Sequence, residues 1–322
     1  MKYEVIVPVY NGEDVLAACL ESITTQDDAV IGKDYSVLVI DDGSTDRTVE
    51  IAGMFPVKTI SLGENRGRIV ARLSGAQNTR AERVLFIDSR VRVSSDCIAS
   101  LAQFDSYPVV IGAVEAKQNG QSAFERILFL IRRKYYGKGN YPVQDKDLII
   151  TPENFKRSPK GTTILLTDRD LFLRLIPERT GKDVNDDTLL FHNLVFKEGI
   201  GLLRSPKIKI EYDPSRRFFP FLKWFYERGI RFADFYFSKG GYFHKHFLIV
   251  LGLALAFFAV MVLLPAHLSL VLLWVLLGLY FFLCVWLSET VLDFPILFLG
   301  LPVILFVFGV GVMRFWIKYL LR

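Results

Sequence analysis

Three observations predict an α/β fold followed by a membrane-embedded tail. Short apolar runs of strand length alternate with helix-spaced runs through the first two-thirds of the chain. Asp41, Asp42 and Asp46 cluster where one such strand gives way to a helix, the place where an open α/β sheet binds its ligand. Finally, apolar runs of 18, 20 and 20 residues (247–264, 268–287 and 294–313) all fall in the last 76 of 322 residues. They have membrane-spanning length, and none holds an internal Lys, Arg, Asp or Glu.

The elements follow in order. Tyr3 to Val7 reads as a strand, Pro8 to Gly12 as a turn, and Val15, Leu16, Cys19, Leu20 and Ile23 as one face of a helix. Ser36 to Ile40 is a second, buried strand, and Ser44 or Thr45 is positioned to cap the helix running through Val49 and Ile51. A turn needs only one small capping residue, so the repulsion between adjacent Asp41 and Asp42 points to a ligand role. Val57 to Leu62 is a third strand, leading through a polar loop into a helix with Ile69, Val70, Leu73 and Ala76. Arg66, Arg68 and Arg72 sit in its first turns, against the helix dipole, so an anion is expected nearby. Arg83 to Ile87 is the next strand, ending in Asp88-Ser89-Arg90. Further on come an apolar run at Ile164 to Leu166, a helix around Asp170 to Ile176, the acid run from Asp183 to Asp187, and a helix from Leu189 to Lys197.

The segments "IVPVYNGEDVLAACLESI" and "VLVIDDGSTDRT", in this order and at this spacing, resemble the nucleotide-sugar-binding start of family 2 glycosyltransferases. The resemblance implies a GT-A type domain over residues 1–215, with a mixed central sheet flanked by helices. It implies that Pro8, Tyr10, Asn11, Asp41 and Asp42 border the donor, and that Arg72, in the family's Ala-Arg pair, helps hold the donor's nucleotide or diphosphate. It also places the catalytic base at an acid pair matched by Asp186 and Asp187, with Asp187 the first choice. Capping and first-turn charge for the following helix is the structural reading of the same acids.

The chain departs from the family at two points. Asp88-Ser89-Arg90 stands where members carry Asp-x-Asp, which binds a divalent cation, Mg2+ or Mn2+, and a His common after the last strand is absent from the Ile208 to Tyr212 stretch. Three readings of Arg90 stay open. It replaces the metal's charge in catalysis, it pairs structurally with Asp88, or Asp88 still holds a metal together with the diphosphate. Cys19, Cys97 and Cys284 form no ligand spacing and read as apolar fillers, and no Walker loop, GxGxxG or HExxH motif occurs.

Between residues 216 and 246 seven Lys or Arg face two acids, an excess equal to the chain's net charge of +5. Lys223, Glu227, Arg231 and Asp234 fall on one helical face, and Phe221, Leu222, Phe225, Phe232 and Tyr236 on the other, the pattern of a helix in the membrane interface. Each cation there gains about 1 kcal/mol from anionic headgroups, which explains the charge more simply than nucleic acid does. Family resemblance makes Arg216, Arg217 and Trp224 candidates for contact with a lipid-linked or glycan acceptor, and the basic-aromatic stretch Ile131 to Tyr136 is another surface for lipid or acceptor. The N-terminus lacks a signal-peptide pattern, so a multi-pass cell-membrane protein with a cytosolic catalytic domain is expected. Full crossing by all three apolar runs would put Arg314, Lys318 and Arg322 outside. Pro295, Gly300, Pro302, Gly309 and Gly311 therefore suggest that the third run is bent or re-entrant.

Overall fold

The computed structural model describes residues 2–113, 115–116, 122–137, 146–177, 184–212, 218–237, 249, 252–253, 256–257, 259–260 and 263–320. The chain forms two compact units, one of residues 1–120, 135–182 and 186–214, the other of 121–134, 183–185 and 215–322.

The first unit is built on strands β1 (Tyr3–Val9), β2 (Tyr35–Asp41), β3 (Lys58–Ser61), β4 (Arg83–Ile87), β5 (Val91–Val93), β6 (Val109–Gly112), β7 (Glu115–Ala116), β8 (Leu148–Ile150), β9 (Ile164–Asp168), β10 (Leu202–Ser205) and β11 (Ile210–Tyr212). Eight of them form a mixed sheet in the order β3, β2, β1, β4, β9, β6, β10, β8, and β5, β11 and β7 form a small second sheet. The chain runs outward from β1 through β2 to β3, all parallel, and then returns to place β4 parallel on the other side of β1. Strand order therefore reverses between β1 and β4, and the crevice at their carboxyl ends is the natural ligand position of such a sheet. β9 runs antiparallel to β4 with Ile164 opposite Ile87, which brings the residues before β9 to the same edge.

Side-chain alternation explains the burial. Val5, Val7, Val9, Val37 and Val39 enter one core with Leu16, Leu20 and Ile23 of α1 (Leu16–Thr24). Ile6, Leu38 and Ile40 enter the other with Ile69, Ala71 and Ala76 of α3 (Arg68–Gln77). A sheet covered on both faces needs apolar residues at every position, which is why these strands read as continuous apolar runs. Cys19 and Cys97 are buried fillers, their thiols pushed up to about 12 by burial.

Several local expectations are corrected. Helix α2 (Thr48–Ala52) is not capped by Ser44 or Thr45. Asp46 accepts the Thr48 amide at 3.0 Å instead, and Ser44 and Thr45 are turned toward Asn11. Following the short α4 (Cys97–Ser100), α5 (Ala123–Tyr136) and α6 (Arg169–Leu175), the helix predicted from Leu189 begins earlier, as α7 (Asp186–His192), and widens into a π turn over Asn193–Lys197.

In the second unit, Ala266–Leu287 and Asp293–Lys318 are two helical stretches long and apolar enough to cross a membrane, with most of their surface uncovered by protein. The first apolar run, 247–264, lies largely outside the described residues. The third is one continuous helix, Asp293–Leu320, that runs through Pro302 without a break. Two of its glycines serve close packing. A Cβ on Gly311 would lie 2.1 Å from the Tyr226 carbonyl oxygen of α8 (Phe218–Phe237), and one on Gly300 would lie 2.5 Å from Ile127. Gly229 of α8 meets the same helix at Phe308, so backbones approach at a small-residue crossing of the kind membrane helices use. The apolar face of α8, expected to lie in the membrane interface, is thus partly spent on protein, with Phe225 and Phe232 both against Phe308. Asp234, assigned to its polar face, is buried, and its carboxylate accepts the Asn185 amide at 3.3 Å. The basic stretch on α5 is also engaged. Arg126 forks onto Asp293 at 2.8 and 3.0 Å, Arg133 reaches Glu289 at 2.8 Å, and Lys134 lies over Trp286.

Candidate active site

The carboxyl ends of β1 and β2 form a stitched pair of loops. Asn11, at φ 47, donates its amide to Ser44 Oγ and accepts the Thr45 amide on Oδ1, both at 2.9 Å. The Gly12 amide reaches Thr48 Oγ1 at 2.8 Å, and the Glu13 amide reaches Asp46 at 3.1 Å. Pro8 is buried at the end of β1, whereas Tyr10 beside it is exposed.

Asp41 and Asp42 are buried and fully engaged. Asp41 accepts the Ser44 amide at 2.9 Å and the Ser61 hydroxyl at 2.5 Å. Asp42 accepts the Arg66 amide on one oxygen at 2.8 Å and the Gly67 amide on the other at 2.9 Å. It is therefore one of the anions predicted for the start of α3, and it satisfies donors just ahead of the first helical residue. The fold also requires Gly43, whose φ is +75 and whose Cβ position lies 2.5 Å from the Glu64 backbone.

A second cluster lies where β4, the start of β9, α3 and α7 meet. Arg72 is fully buried and forks over three acceptors, with Nη2 donating to Asp88 Oδ1 at 2.9 Å and to the Thr162 carbonyl at 2.7 Å, and Nη1 to Asp187 Oδ1 at 3.1 Å. The Thr162 hydroxyl donates to the same Asp187 oxygen at 2.6 Å, and Arg68 Nη2 donates to Oδ2, also at 2.6 Å. The Asp88 amide donates to the Thr163 carbonyl at 3.0 Å and locks the end of β4 to the start of β9. Asp88 and Asp187 each keep 23 % of the side chain exposed, so the cluster opens to solvent on its acid side.

The two acids respond differently to this setting. Burial pushes the Asp88 carboxyl up from its ordinary value, and the Arg72 and Arg68 charges only partly oppose it. Burial acts the same way on Asp187, but there Arg68, Arg72 and the Thr162 hydroxyl outweigh it and hold the carboxyl below its ordinary value.

Sequence reasoning placed Arg72, Asp88 and Asp187 separately, and the structure joins them on one guanidinium. Of the open readings of Arg90, pairing with Asp88 is not formed. Asp88 is taken by Arg72, while Arg90 is exposed in the turn closed by the Val91 amide on the Asp88 carbonyl. Thr162 was missed, and its only signal was a small hydroxyl residue next to a glycine ahead of an apolar run. Arg68 was noticed only as a cation against the helix dipole. Trp224 belongs to the second unit, where Arg228 lies 4.2 Å over its ring. Arg216, Arg217 and the Asp186 side chain lie outside the described residues.

Residues 4–156 match the family model for glycosyl transferase family 2. The chain carries a family 2 glycosyltransferase domain. Among curated relatives, glycosyltransferase GlyA of Streptococcus pneumoniae is 38 % identical over 104 residues, 31 % of this chain and 14 % of that protein. Poly(ribitol-phosphate) beta-glucosyltransferase of Bacillus spizizenii is 29 % identical over 107 residues, 30 % of this chain and 16 % of its own length. The matches thus span well under two-thirds of either relative. Solved structures extend the likeness at the level of fold. S. aureus TarS in complex with UDP-GlcNAc aligns with TM-score 0.51 and 19 % identity over 73 % of this chain and 67 % of that one. The mannosyltransferase PcManGT of Pyrobaculum calidifontis, in complex with GDP-Man and Mn2+, aligns with TM-score 0.52 and 20 % identity over 72 % and 62 %. The mixed sheet flanked by helices is the GT-A architecture of these neighbours.

The divalent cation that this fold family implies fits the family 2 domain poorly. Hard cations need several oxygen ligands. Here Asp88 has one oxygen committed to Arg72, and Arg90 stands where a second carboxylate is expected. No group of three His, Cys, Asp or Glu suited to a metal occurs among the described residues.

Proposed function

We propose that this protein is a membrane-anchored, inverting glycosyltransferase that moves a sugar from a nucleotide-sugar donor to a lipid-linked or membrane-proximal glycan acceptor. The observation that carries this reading is the Arg72-centred cluster, which brings a strand-end acid and a helix-start acid together at the crevice of a family 2 fold. Asp187 is the base, and Asp186 the alternative. A hydroxyl is a poor nucleophile at neutral pH, so the carboxylate takes its proton as the new bond to the anomeric carbon forms. The anomeric bond to the diphosphate breaks on the opposite face, the nucleoside diphosphate leaves with the electron pair, and configuration inverts. Pro8, Tyr10, Asn11, Asp41 and Asp42 frame the donor, with the two acids acting by shaping the loops. Arg90, exposed at the end of β4, supplies fixed positive charge for the leaving diphosphate in place of a metal, a preorganised form of electrostatic stabilisation.

The donors named for the neighbours, UDP-GlcNAc and GDP-Man, indicate the donor class rather than the base or sugar used here. Two apolar helices and the basic juxtamembrane segment support anchoring with the catalytic unit on the cytosolic side, where the acceptor meets membrane lipid. The Asp-Ser-Arg replacement favours one rival, a catalytically silent nucleotide-sugar-binding scaffold. The test is turnover of a nucleotide-sugar panel by the detergent-solubilised chain, with and without EDTA. Turnover that survives EDTA supports Arg90 as the cation, turnover that EDTA abolishes assigns a metal to Asp88, and binding without any turnover establishes the scaffold.

A further inference from the structure

The last helix, Asp293–Leu320, meets the protein along one continuous stripe. Asp293, Leu297, Leu301, Ile304 and Gly311 are buried and recur at helical spacing, while Leu299, Phe306 and Met313 on the other side are exposed. Different helices hold the two ends of the stripe. Near its start, Asp293 takes both arms of Arg126 and Gly300 packs against Ile127, both from α5. Near its end, Phe308 meets Gly229, Gly311 meets the Tyr226 carbonyl, and Arg314 Nη1 donates to the Tyr226 hydroxyl at 2.7 Å, all from α8. Asp293 and Arg314 are about 30 Å apart along the helix, the thickness of a bilayer's hydrocarbon.

Chain length restricts where α5 and α8 can be. Residues 117–122 join α5 to β7 and residues 213–217 join α8 to β11. Each link is shorter than the ~10 extended residues, and far shorter than the ~20 helical ones, that a crossing takes. Neither helix crosses by itself. The 14 residues of α5 reach only about 21 Å, and α8 would carry Lys223, Glu227, Arg228, Arg231 and Asp234 into hydrocarbon. The rings of Phe124 and Phe221, stacked 5.4 Å apart, also make α5 and α8 neighbours. A last helix that crossed the bilayer would need one of these two helices on the far side.

We propose that the last helix lies in the plane of the membrane, with its exposed apolar side in the hydrocarbon of one leaflet and both of its ends on the face that carries α5 and α8. The inference rests on the membrane-anchored reading above. A helix in the interface needs a polar side. Here α5 and α8 supply it, so the helix's own sequence stays apolar all round and has the composition of a span. The preceding helix, Ala266–Leu287, has no such cover, with 6 % of its apolar window buried. Arg133 on Glu289 and Lys134 over Trp286 hold its end to α5. This helix crosses the bilayer, and the apolar run 247–264 has the length for the opposite crossing. Two crossings return Arg314, Lys318 and Arg322 to the side of the basic juxtamembrane segment, where they meet anionic headgroups and keep the positive-inside rule.

Single cysteines in the full chain test sidedness and depth, with the unsubstituted chain, whose three cysteines are buried, as the blank. A membrane-impermeant maleimide is applied to intact cells and to inside-out vesicles. Val291→Cys and Lys318→Cys should label only in the vesicles, and His267→Cys only in intact cells. Labelling of Lys318→Cys in intact cells overturns the proposal. Spin labels on Leu299→Cys, Phe306→Cys and Met313→Cys, in vesicles of phosphatidylcholine and phosphatidylglycerol, then report depth from collisions with oxygen and with a water-soluble nickel chelate. An in-plane helix holds the three at equal depth, whereas a crossing helix changes depth by about 10 Å between successive sites. A label on Phe306→Cys that is deepest by that amount overturns the proposal, whether the helix crosses or dips and returns. A chain recovered free of membranes, with all three labels in water, overturns the membrane-anchored reading itself, a result distinct from a change of depth.

Discussion

Asp41 and Asp42 are held by neutral donors, two hydroxyl or amide groups on the first and two backbone amides on the second, whereas Asp88 and Asp187 are held by guanidiniums. Both pairs look alike along the chain, as acids at strand ends and helix starts. The difference shows how one crevice separates scaffold from chemistry. Neutral donors with fixed backbone positions make the first pair part of the loop architecture. Shared cations make the second pair a charged cluster, in which each carboxylate is held by a guanidinium rather than by the backbone.

Substitutions test that division, and the largest effect is expected at the charged pair. Asp187→Asn keeps shape and most hydrogen bonds but removes the base, so transfer to a hydroxyl acceptor should fall ~10²- to 10⁴-fold with nucleotide binding retained. Single-turnover assays check this, and a fully active variant would refute the assignment. Arg72→Met leaves Asp88 and Asp187 without their shared cation and should lower stability by about 3–5 kcal/mol, read from denaturant unfolding of the solubilised protein. Asp42→Ala orphans the Arg66 and Gly67 amides and should cost about 1–3 kcal/mol, with activity lost only as far as the loop is disordered. Should Asp42→Ala abolish turnover while the protein stays fully folded, the line between scaffold and chemistry would have to be redrawn. Ser61→Ala removes one donor from Asp41 and should cost no more than about 1 kcal/mol, with donor kinetics unchanged.

The exposed Arg68–Asp187 contact by itself contributes about 0–1 kcal/mol to stability. Arg72 is the opposite case, since its removal strands buried charge.

Much of this arrangement was legible in the amino-acid order. The strands from Tyr3, Ser36, Val57 and Arg83 appear close to their predicted limits, because apolar runs bounded by polar turns carry a local signal. The anion expected beside Arg66, Arg68 and Arg72 also exists, as the protein's own Asp42, Asp88 and Asp187. Local patterns were less informative where contacts are distant. Thr162 and Asp187 are 25 positions apart, and nothing in their spacing announces that one hydroxyl orients the other's carboxylate. The glycines of the last helix read locally as chain irregularity, whereas Gly311 admits the backbone of α8. A glycine's local permissiveness cannot be distinguished from a partner's close approach until the partner is in place.

Hydrophobic periodicity and motif order by themselves determined the α/β class, the apolar tail and the acids to examine, because these depend on neighbours within a turn or a strand. Only tertiary structure decided which acids bear on backbone and which on arginine, that Arg72 rather than Arg90 takes Asp88, and that Arg68 covers the candidate base. Those outcomes depend on strand order and on the packing of α3 and α7 at the crevice, which bring side chains more than a hundred residues apart to within hydrogen-bond distance.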